Sequence, residues 1–398
     1  MERDAFAPAQ RKHVVRAEGG YLAFVPPPLP PTLSFNRELI AALSAADRAI
    51  GELAGVGRTL PDSEILTAPI VRREAVLSSR IEGTRASVDQ LALFELDHPD
   101  EGDGDVREVY NYLAALSRVL APDRRLPLSV PLLLEAHETL LNGVRGGYAT
   151  PGEFRRSQNW IGPPGSVINN ATYVPPPPER LWDCLGPFEK YLHAEHELPP
   201  LVVIGCLHYQ FEAIHPFVDG NGRVGRLLII LLLIDWNLLP APLLDISAYI
   251  EPRRDEYYQR LLAVSTQGDW TGWLLFFLRA VADQATDAVS RARALQRLRE
   301  DYRSRVTTAR ASSLLPQLVD ALFVTPGLTI GRAQRLLNVS RRSATLTVER
   351  LVTAGLLVEV RIGARRYFLA KEIIEVANGE ASTGLRSGAA SPRGGRLR

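Results

Sequence analysis

Cysteine occurs only twice in the 398 residues, at Cys184 and Cys206. Two thiols cannot build a disulfide framework, and their spacing suits no zinc site, so a reducing cytoplasm is the expected location. The N-terminal MERDAFAPAQRKH has no apolar core of the kind a signal peptide needs. Long apolar runs are missing too. The longest uncharged one, Leu227 to Ile234, falls well short of the roughly 20 residues of a membrane span and reads as a core helix. Lysine is nearly absent, standing only at 12, 190 and 371, which we take as genome composition. No single charge sign dominates: 46 basic side chains face 45 acidic ones, for a net charge of +1. That balance excludes a uniformly basic nucleic-acid binder, and 46% apolar residues exclude a disordered chain. The phosphate-binding pattern G-x-x-x-x-G-K-[ST] is also lacking, so this is not a Walker A protein.

The length allows two or three domains. Residues 1–35 carry PPPLPPT and read as an extended, proline-rich lead-in. Apolar spacing predicts helices at 36–60, 64–82, 105–121 and 129–143, with the acidic stretch LDHPDEGDGD at 96–105 as a first boundary. NWIGPPGSVINNATYVPPPP, 159–178, holds too much Pro, Gly and Asn for a helix and fits two short extended pieces around a turn. Helices resume at 179–194, 200–213, 220–236, 253–267 and 270–300. A short basic linker then leads to a small domain near 313–372, and a Ser/Gly/Arg tail at 379–398 reads as disordered. The body is therefore expected to be all-α with one hairpin.

The densest chemistry lies at His215 to Arg226, HPFVDGNGRVGR. Pro216 forces His215 out of the α region, so a loop starts there. Gly220, Gly222 and Gly225 let the backbone approach a ligand closely, and the next helix begins inside the loop, aiming its free N–H groups and positive dipole end at one spot. Arg223 and Arg226, three apart, share a face of that helix start and match phosphate oxygens. Asp219 is misplaced beside an anion unless a cation lies between them, and Mg²⁺ on a polyphosphate is the economical answer. His215 can take a proton near neutral pH. The set describes nucleotidyl or phosphoryl transfer to a hydroxyl. Any one of these features is commonly a helix cap or surface charge; all of them within one short loop are hard to read so.

HPFVDGNGRVGR resembles the signature of the Fic family, HPFx[DE]GNGRxxR, at every fixed position, and PGEFRRSQNWIG and ATYVPPPP resemble the stretch ahead of it. Fic proteins are α-helical enzymes that mostly transfer AMP from ATP to a Ser, Thr or Tyr hydroxyl of a target protein. The resemblance implies a Fic-type helical bundle with a β-hairpin flap. It implies that His215 is the general base, that Asp219 holds Mg²⁺ between the α- and β-phosphates, and that Gly220, Asn221 and Gly222 form the anion hole. Arg223 would grip the β-phosphate region and Arg226 the γ-phosphate, with Val224 and Gly225 completing the nucleotide-binding loop. Pyrophosphate would leave.

A second stretch, SSRIEGT at Ser78 to Thr84, invites a capping-box reading through Ser79 and Glu82, but the helical pattern precedes it and Gly83 reads as a stop. Glu82 then sits at the negative end of a helix dipole and calls for a cationic partner, and Ser78 can hydrogen-bond the carboxylate and aim it. Ser78, Glu82 and Gly83 match the family's inhibitory motif [ST]xxxE[GN]. The resemblance implies that Glu82 pairs with Arg226 and blocks productive seating of the γ-phosphate. It leaves open whether Glu82 also positions a water for removal of AMP. The hairpin would be a flap that pairs with the target backbone. Tyr257 is chosen over Tyr258 and Tyr249 as a nucleotide contact. His208 is read as a packed or surface side chain, and His137 and His193 show no partner pattern.

The ranges 1–100 (N-terminal helical region with the inhibitory helix at about 64–83) and 101–300 (catalytic domain) are followed at 313–372 by a pattern that resembles a winged helix-turn-helix. In it Ser340 caps a second helix running to about Ala354, Gly355 stops it, and Ile362-Gly363-Ala364 joins two short strands. Arg341, Arg342, Arg350, Arg365 and Arg366 could face DNA phosphates, although Glu349 and Glu359 dilute the patch. The expected partners are a target protein, the chain itself as target or in a homodimer, and DNA. Two further readings stay open: a DNA-binding regulator whose Fic body senses nucleotide, and a Fic enzyme using another donor or removing AMP.

Overall fold

The computed structural model describes residues 1–59, 64–97, 104–144, 149–163, 165–306 and 314–379. Most of the acidic stretch at 96–105, all but one residue of the 379–398 tail, and the linker just before 314 lie outside the described residues.

The described residues are mainly helical. A small antiparallel pair, β1 (Val14–Arg16) and β2 (Leu22–Phe24), precedes α1 (Arg37–Thr59), α2 (Glu64–Ile81), α3 (Val88–Asp97), α4 (Gly104–Leu120) and α5 (Val130–Leu140). Then come α6 (Leu181–Leu192), α7 (Pro200–Ile214), α8 (Asn221–Asp235), the single turn α9 (Ser247–Ile250), α10 (Arg254–Gln267) and the long α11 (Trp270–Val306). The last part holds α12 (Leu314–Val324), β3 (Gly327–Leu328), α13 (Ile330–Leu337), α14 (Arg341–Thr353), β4 (Val358–Ile362), β5 (Arg365–Leu369) and α15 (Lys371–Asn378). Its three strands form an antiparallel sheet in the order β3-β5-β4.

The centre of the fold is α7 and α8. Their sequences are apolar on all sides, and both are buried almost throughout. A helix without a polar face is stable only when surrounded. Here α5, α6, α10, α11 and α1 do the surrounding, with α1 packed along α11. One hydrophobic cluster takes members from both sides of residue 100, from Phe6 to Val289, and includes Ile374 of α15. A second cluster joins the C-terminal part of α11 (Leu295, Leu298, Tyr302) to α12–α14, and it includes Ile65 and Leu66 of α2.

Three elements differ from expectation. The lead-in is not simply extended: Phe24 is buried, pairs with Val14 in the β1–β2 ladder, and its N–H donates to the Val174 carbonyl. Its prolines mark the segment after β2 rather than the whole region. Helix α3 was hidden because its only start signal is Ser87, whose Oγ accepts from the Gln90 N–H while the Gln90 side chain accepts from the Ser87 N–H. The 159–178 hairpin shrinks to one antiparallel bridge, Ile161 with Tyr173, closed by Ile161 N–H to Tyr173 O (2.8 Å) and the reverse bond (3.0 Å). Prolines 175–178 have no N–H to extend it, and Ile168–Asn170 takes a 3₁₀ turn instead.

Candidate functional site

Helix α7 ends where its sequence requires. His215 adopts the left-handed region (φ 50°), uncommon for a residue other than glycine and therefore held in place by its surroundings. Arg155 provides the hold: its Nε donates to the His215 carbonyl at 2.9 Å, and its backbone N–H donates to Pro216 O at 3.0 Å. Asn159 Nδ2 donates to Phe217 O at 2.7 Å. Asn221 closes the loop on itself, accepting from Phe217 N–H and donating to Phe217 O. Gly220 turns at φ 83° into α8. The N–H groups of Asn221, Gly222 and Arg223 then have no intrahelical acceptor, which leaves the helix start as an anion site.

The imidazole of His215 points one way for a structural reason. Its Nδ1 lies 3.2 Å from the Glu212 carbonyl oxygen. A carbonyl only accepts, so Nδ1 carries the proton and Nε2 keeps its lone pair. Burial, reinforced by the Arg155 charge, pushes the imidazole down to about 4, so it is neutral at pH 7. That is the protonation state of a base.

Arg226 is fully buried. Its Nη2 donates to Glu82 Oε1 at 2.7 Å and to Ser78 O at 2.8 Å, and its Nε donates to Ser78 Oγ at 2.8 Å. Ser78 therefore holds the arginine and not, as expected, the carboxylate. Both acceptors that Ser78 offers lie one turn before the helix end, within reach of the guanidinium fork, whereas Glu82 lies just beyond it. Burial favours the neutral form of Glu82. The Arg226 charge and hydrogen bond outweigh it, with Arg223 and Arg254 adding, and the carboxyl is held below the usual carboxylate range. Arg223 Nη1 donates to Glu108 Oε2 at 3.1 Å, with both side chains nearly buried. Arg226 Nη1 and Arg223 Nε are buried without a partner among the described residues, two cationic N–H groups that an anion would satisfy. Gly222 has no room for a side chain: a Cβ there would lie 2.3 Å from Glu82 Oε1 and 2.9 Å from Arg226 Nη1.

Asp219 is half-exposed, accepts from Gly220 N–H, and lies 3.7 Å from Arg223 Nη2. Among the described residues no group of three or more His, Cys, Asp or Glu could hold a metal ion. A lone carboxylate at a phosphate cradle still fits Mg²⁺, which takes one or two protein carboxylates and substrate phosphates.

Tyr257 is packed behind the loop, linked to the Gly225 carbonyl through His208. It is 1% exposed, and its phenol lies 2.7 Å from His208 Nε2 within a cluster of Trp273 and Phe276. Tyr258, 38% exposed, is the more open of the two, and both phenols sense the charges of Glu82 and Arg226. Adjacent residues on a helix point about 100° apart, and the apolar pattern of α10 is too weak to decide between them. His208 is packed, with Nδ1 against the Gly225 carbonyl and its imidazole pushed down to about 3 by burial. His137 was passed over in the sequence but belongs to the site. It stacks on Phe217 (3.8 Å between centroids), its Nε2 lies 3.0 Å from Asp219 O, and its Nδ1 accepts from Gly152 N–H. Nothing near His137 in the chain signals this. Glu108 did leave a signal: it lies in register with the buried stripe of Val109, Tyr112 and Leu116, where a carboxylate needs a partner.

Comparison with known proteins now bears on this geometry. Residues 40–121 match the Fic/DOC family N-terminal region, and residues 127–233 match the Fic/DOC family. The chain is a Fic domain protein. It is 30% identical over 191 residues to a probable protein adenylyltransferase of Aquifex aeolicus, covering 47% of this chain and 55% of the relative. It is 32% identical over 165 residues to the protein adenylyltransferase Fic of Drosophila yakuba, covering 40% of this chain and 28% of the relative. The chain thus spans about half of the first relative's length and under a third of the second's. A crystal structure of a Fic family protein from Desulfovibrio desulfuricans superposes with a TM-score of 0.56 at 23% identity, over 86% of this chain and 98% of that one, a likeness of fold. In the Fic domain protein described here, no described helix is long and apolar enough to cross a membrane.

Proposed function

We propose that this chain is a protein adenylyltransferase that transfers AMP from ATP to a Ser, Thr or Tyr hydroxyl and is held at rest by Glu82. The observation that carries the reading is the Glu82–Arg226 contact at 2.7 Å, which joins two motifs 144 residues apart in the chain. The activity named for the relatives from Aquifex aeolicus and Drosophila yakuba supports it.

Each residue has a defined task in that reaction. His215 Nε2 removes the proton of the target hydroxyl. The freed oxygen forms a bond to the α-phosphorus, the bond from that phosphorus to the bridging α–β oxygen breaks, and pyrophosphate departs with the electron pair. Gly220, Asn221 and Gly222, with Val224 and Gly225 behind them, shape the backbone cradle for the phosphates. Arg223 and Arg226 neutralise the charge of the leaving pyrophosphate. Asp219 would hold Mg²⁺, which supplies Lewis-acid charge neutralisation at the phosphates. Exposed Trp160 and Ile161, on the arm that carries the Ile161–Tyr173 bridge, offer a strand edge to the target backbone. Tyr258 replaces Tyr257 as the nucleotide-facing tyrosine.

Glu82 inhibits by occupying the guanidinium that the terminal phosphate needs. Displacement of a substrate by about 1 Å can cost about 100-fold in rate. The target is a protein hydroxyl that includes the chain's own, and a second copy of the chain is the expected assembly.

The test uses ATP labelled at the α-phosphate with wild type, Glu82→Gly, and Glu82→Gly/His215→Ala. Strong labelling by Glu82→Gly alone supports the donor, the base and the inhibitory carboxylate together. Labelling from γ-labelled ATP or another donor instead would refute AMP transfer while leaving the fold intact.

A further inference from the structure

The second hydrophobic cluster contains an unusual pair. Ile65 and Leu66, on the first turn of α2, are 3% and 2% exposed and pack with Leu315, Leu318, Val319 and Leu322 of α12. The same helix carries Ser78 and ends beside Glu82. It spans about 24 Å from Leu66 to Glu82 at about 1.5 Å per residue. Its middle is tied down as well: Arg73 pairs with Asp245, which also pairs with Arg291 of α11, and Arg72 Nε bonds Glu95 of α3 at 2.8 Å. Helix α3 in turn meets the C-terminal sheet, where Asp97 accepts from Arg365 and from the Tyr367 phenol. The C-terminal unit and the helix that carries the resting contact thus share one core and one set of ion pairs.

The C-terminal unit also has a free charged face. On α13 and α14, Arg335, Arg341, Arg342 and Arg350 are exposed, and none makes an ion pair among the described residues. The hairpin arginines differ: Arg361 and Arg366 pair with Glu359, and Arg365 pairs with Asp97. On α14 the exposed residues Arg341, Arg342, Leu346, Glu349 and Arg350 form one side, and Ala344, Thr347, Val348 and Leu351 form the buried one. Leu346, 52% exposed, stands in the middle of the arginines. A helix that presents unpaired guanidinium groups around one apolar side chain fits the major groove, with arginines on phosphates or guanine edges and the leucine against a thymine methyl.

We propose that this face of α14 binds duplex DNA and that the binding is transmitted along α2 to separate Glu82 from Arg226. The sign follows from the geometry. Ser78 and Glu82 hold Arg226 from the end of α2 through three bonds, so displacement of that end away from α8 lengthens all three. The catalytic consequence, a rise in AMP transfer, rests on the function proposed above; the DNA contact and the movement of α2 do not.

The experiment uses the full chain and a labelled duplex of mixed sequence. Anisotropy is read between about 50 and about 200 mM salt, together with hydrogen exchange over residues 64–82. If each of Arg341, Arg342 and Arg350 releases one counterion, their part of the salt dependence weakens binding about 40-fold over that range. The triple alanine variant should lower the log–log slope by about 2.7, and triple lysine should restore it. Amides of α2 should exchange faster with DNA in wild type and not in the alanine variant. No binding at low salt, or an unchanged slope in the alanine variant, overturns the surface and leaves this face to a protein. Binding with unchanged exchange in α2 overturns the transmission. If Glu82→Gly transfers no AMP, the enzymatic reading fails, and the exchange measurement still decides this proposal.

Discussion

Replacing Glu82 by alanine should make the free protein less stable and the nucleotide-bound protein faster. Arg226 is fully buried, and among the described residues Glu82 is its one carboxylate partner at hydrogen-bond distance, at 2.7 Å. Removing one member of a fully buried pair costs about 3–5 kcal/mol. Glu82 keeps 30% of its side-chain surface, so water reaches the vacated place, and Ser78 still accepts two bonds from the guanidinium. The cost should therefore be about 2 kcal/mol, a fall in Tm of about 3 °C for a unit of this size. The γ-phosphate then supplies the missing negative charge. ATP at about 100 times its Kd should raise the variant's stability by about 2.7 kcal/mol, against a smaller gain in wild type, where Glu82 competes. Transfer should rise about 100-fold. Glu82→Gln, which keeps one acceptor oxygen, should fall between the two in all three readouts. Calorimetry with and without ATP, alongside α-labelled transfer, measures the set. If the alanine variant is as stable as wild type and gains no more from ATP, the pair does not compensate Arg226 and the inhibitory argument is wrong.

Glu108→Gln should leave buried Arg223 only the half-exposed Asp219 at 3.7 Å, cost about 2–3 kcal/mol in denaturant unfolding, and raise the KM for ATP more than it lowers kcat. Tyr257→Phe should cost about 1 kcal/mol through the lost His208 contact with KM for ATP unchanged, whereas Tyr258→Ala should raise that KM with little loss of stability; the reverse pattern would restore Tyr257 as the nucleotide contact. For His137 and His208, pushed down to about 4 and about 3 by burial, the unfolded chain binds the extra protons below about 6.5. Acidification from pH 7 to pH 5 should therefore remove about 1–2 kcal/mol per histidine, and His137→Asn should flatten that limb of urea-monitored stability. Glu212 has the opposite sign: burial pushes it up to about 8, so the folded chain holds its proton and stability declines as pH rises through the window above the ordinary value of 4.5.

Much of this was legible before any coordinates. Helices α1, α4 and α6 are clearly amphipathic, α7 and α8 stand out as unbroken apolar runs, and Pro216, Gly220 and Ser340 punctuate the chain where their backbone chemistry requires. The loop from His215 to Arg226 could be read because its chemistry is contiguous. What escaped depends on contacts between distant segments. Nothing in the sequence near His137 shows that Phe217 will stack on it. The side of α10 that turns inward is set by contacts such as that of Tyr257 with His208, a residue of another helix, so the choice of Tyr257 over Tyr258 had no local signal behind it. Ser78 was assigned to the wrong partner because spacing along a helix reports local neighbours, while Arg226 arrives from across the fold. The single bridge at Ile161 shows the same limit: the prolines that suggested an extended arm also remove the donors that would have made it a strand.

The packing of Ile65 and Leu66 also bears on how such a chain can change over generations. The linker expected ahead of α12 looks like a seam at which one C-terminal unit could be exchanged for another. The hydrophobic cluster ignores that seam, because two of its members come from α2. A recombination there would deliver a new unit to a helix end shaped for the old one. Such a recombinant would keep a filled core only with matching changes at 65 and 66.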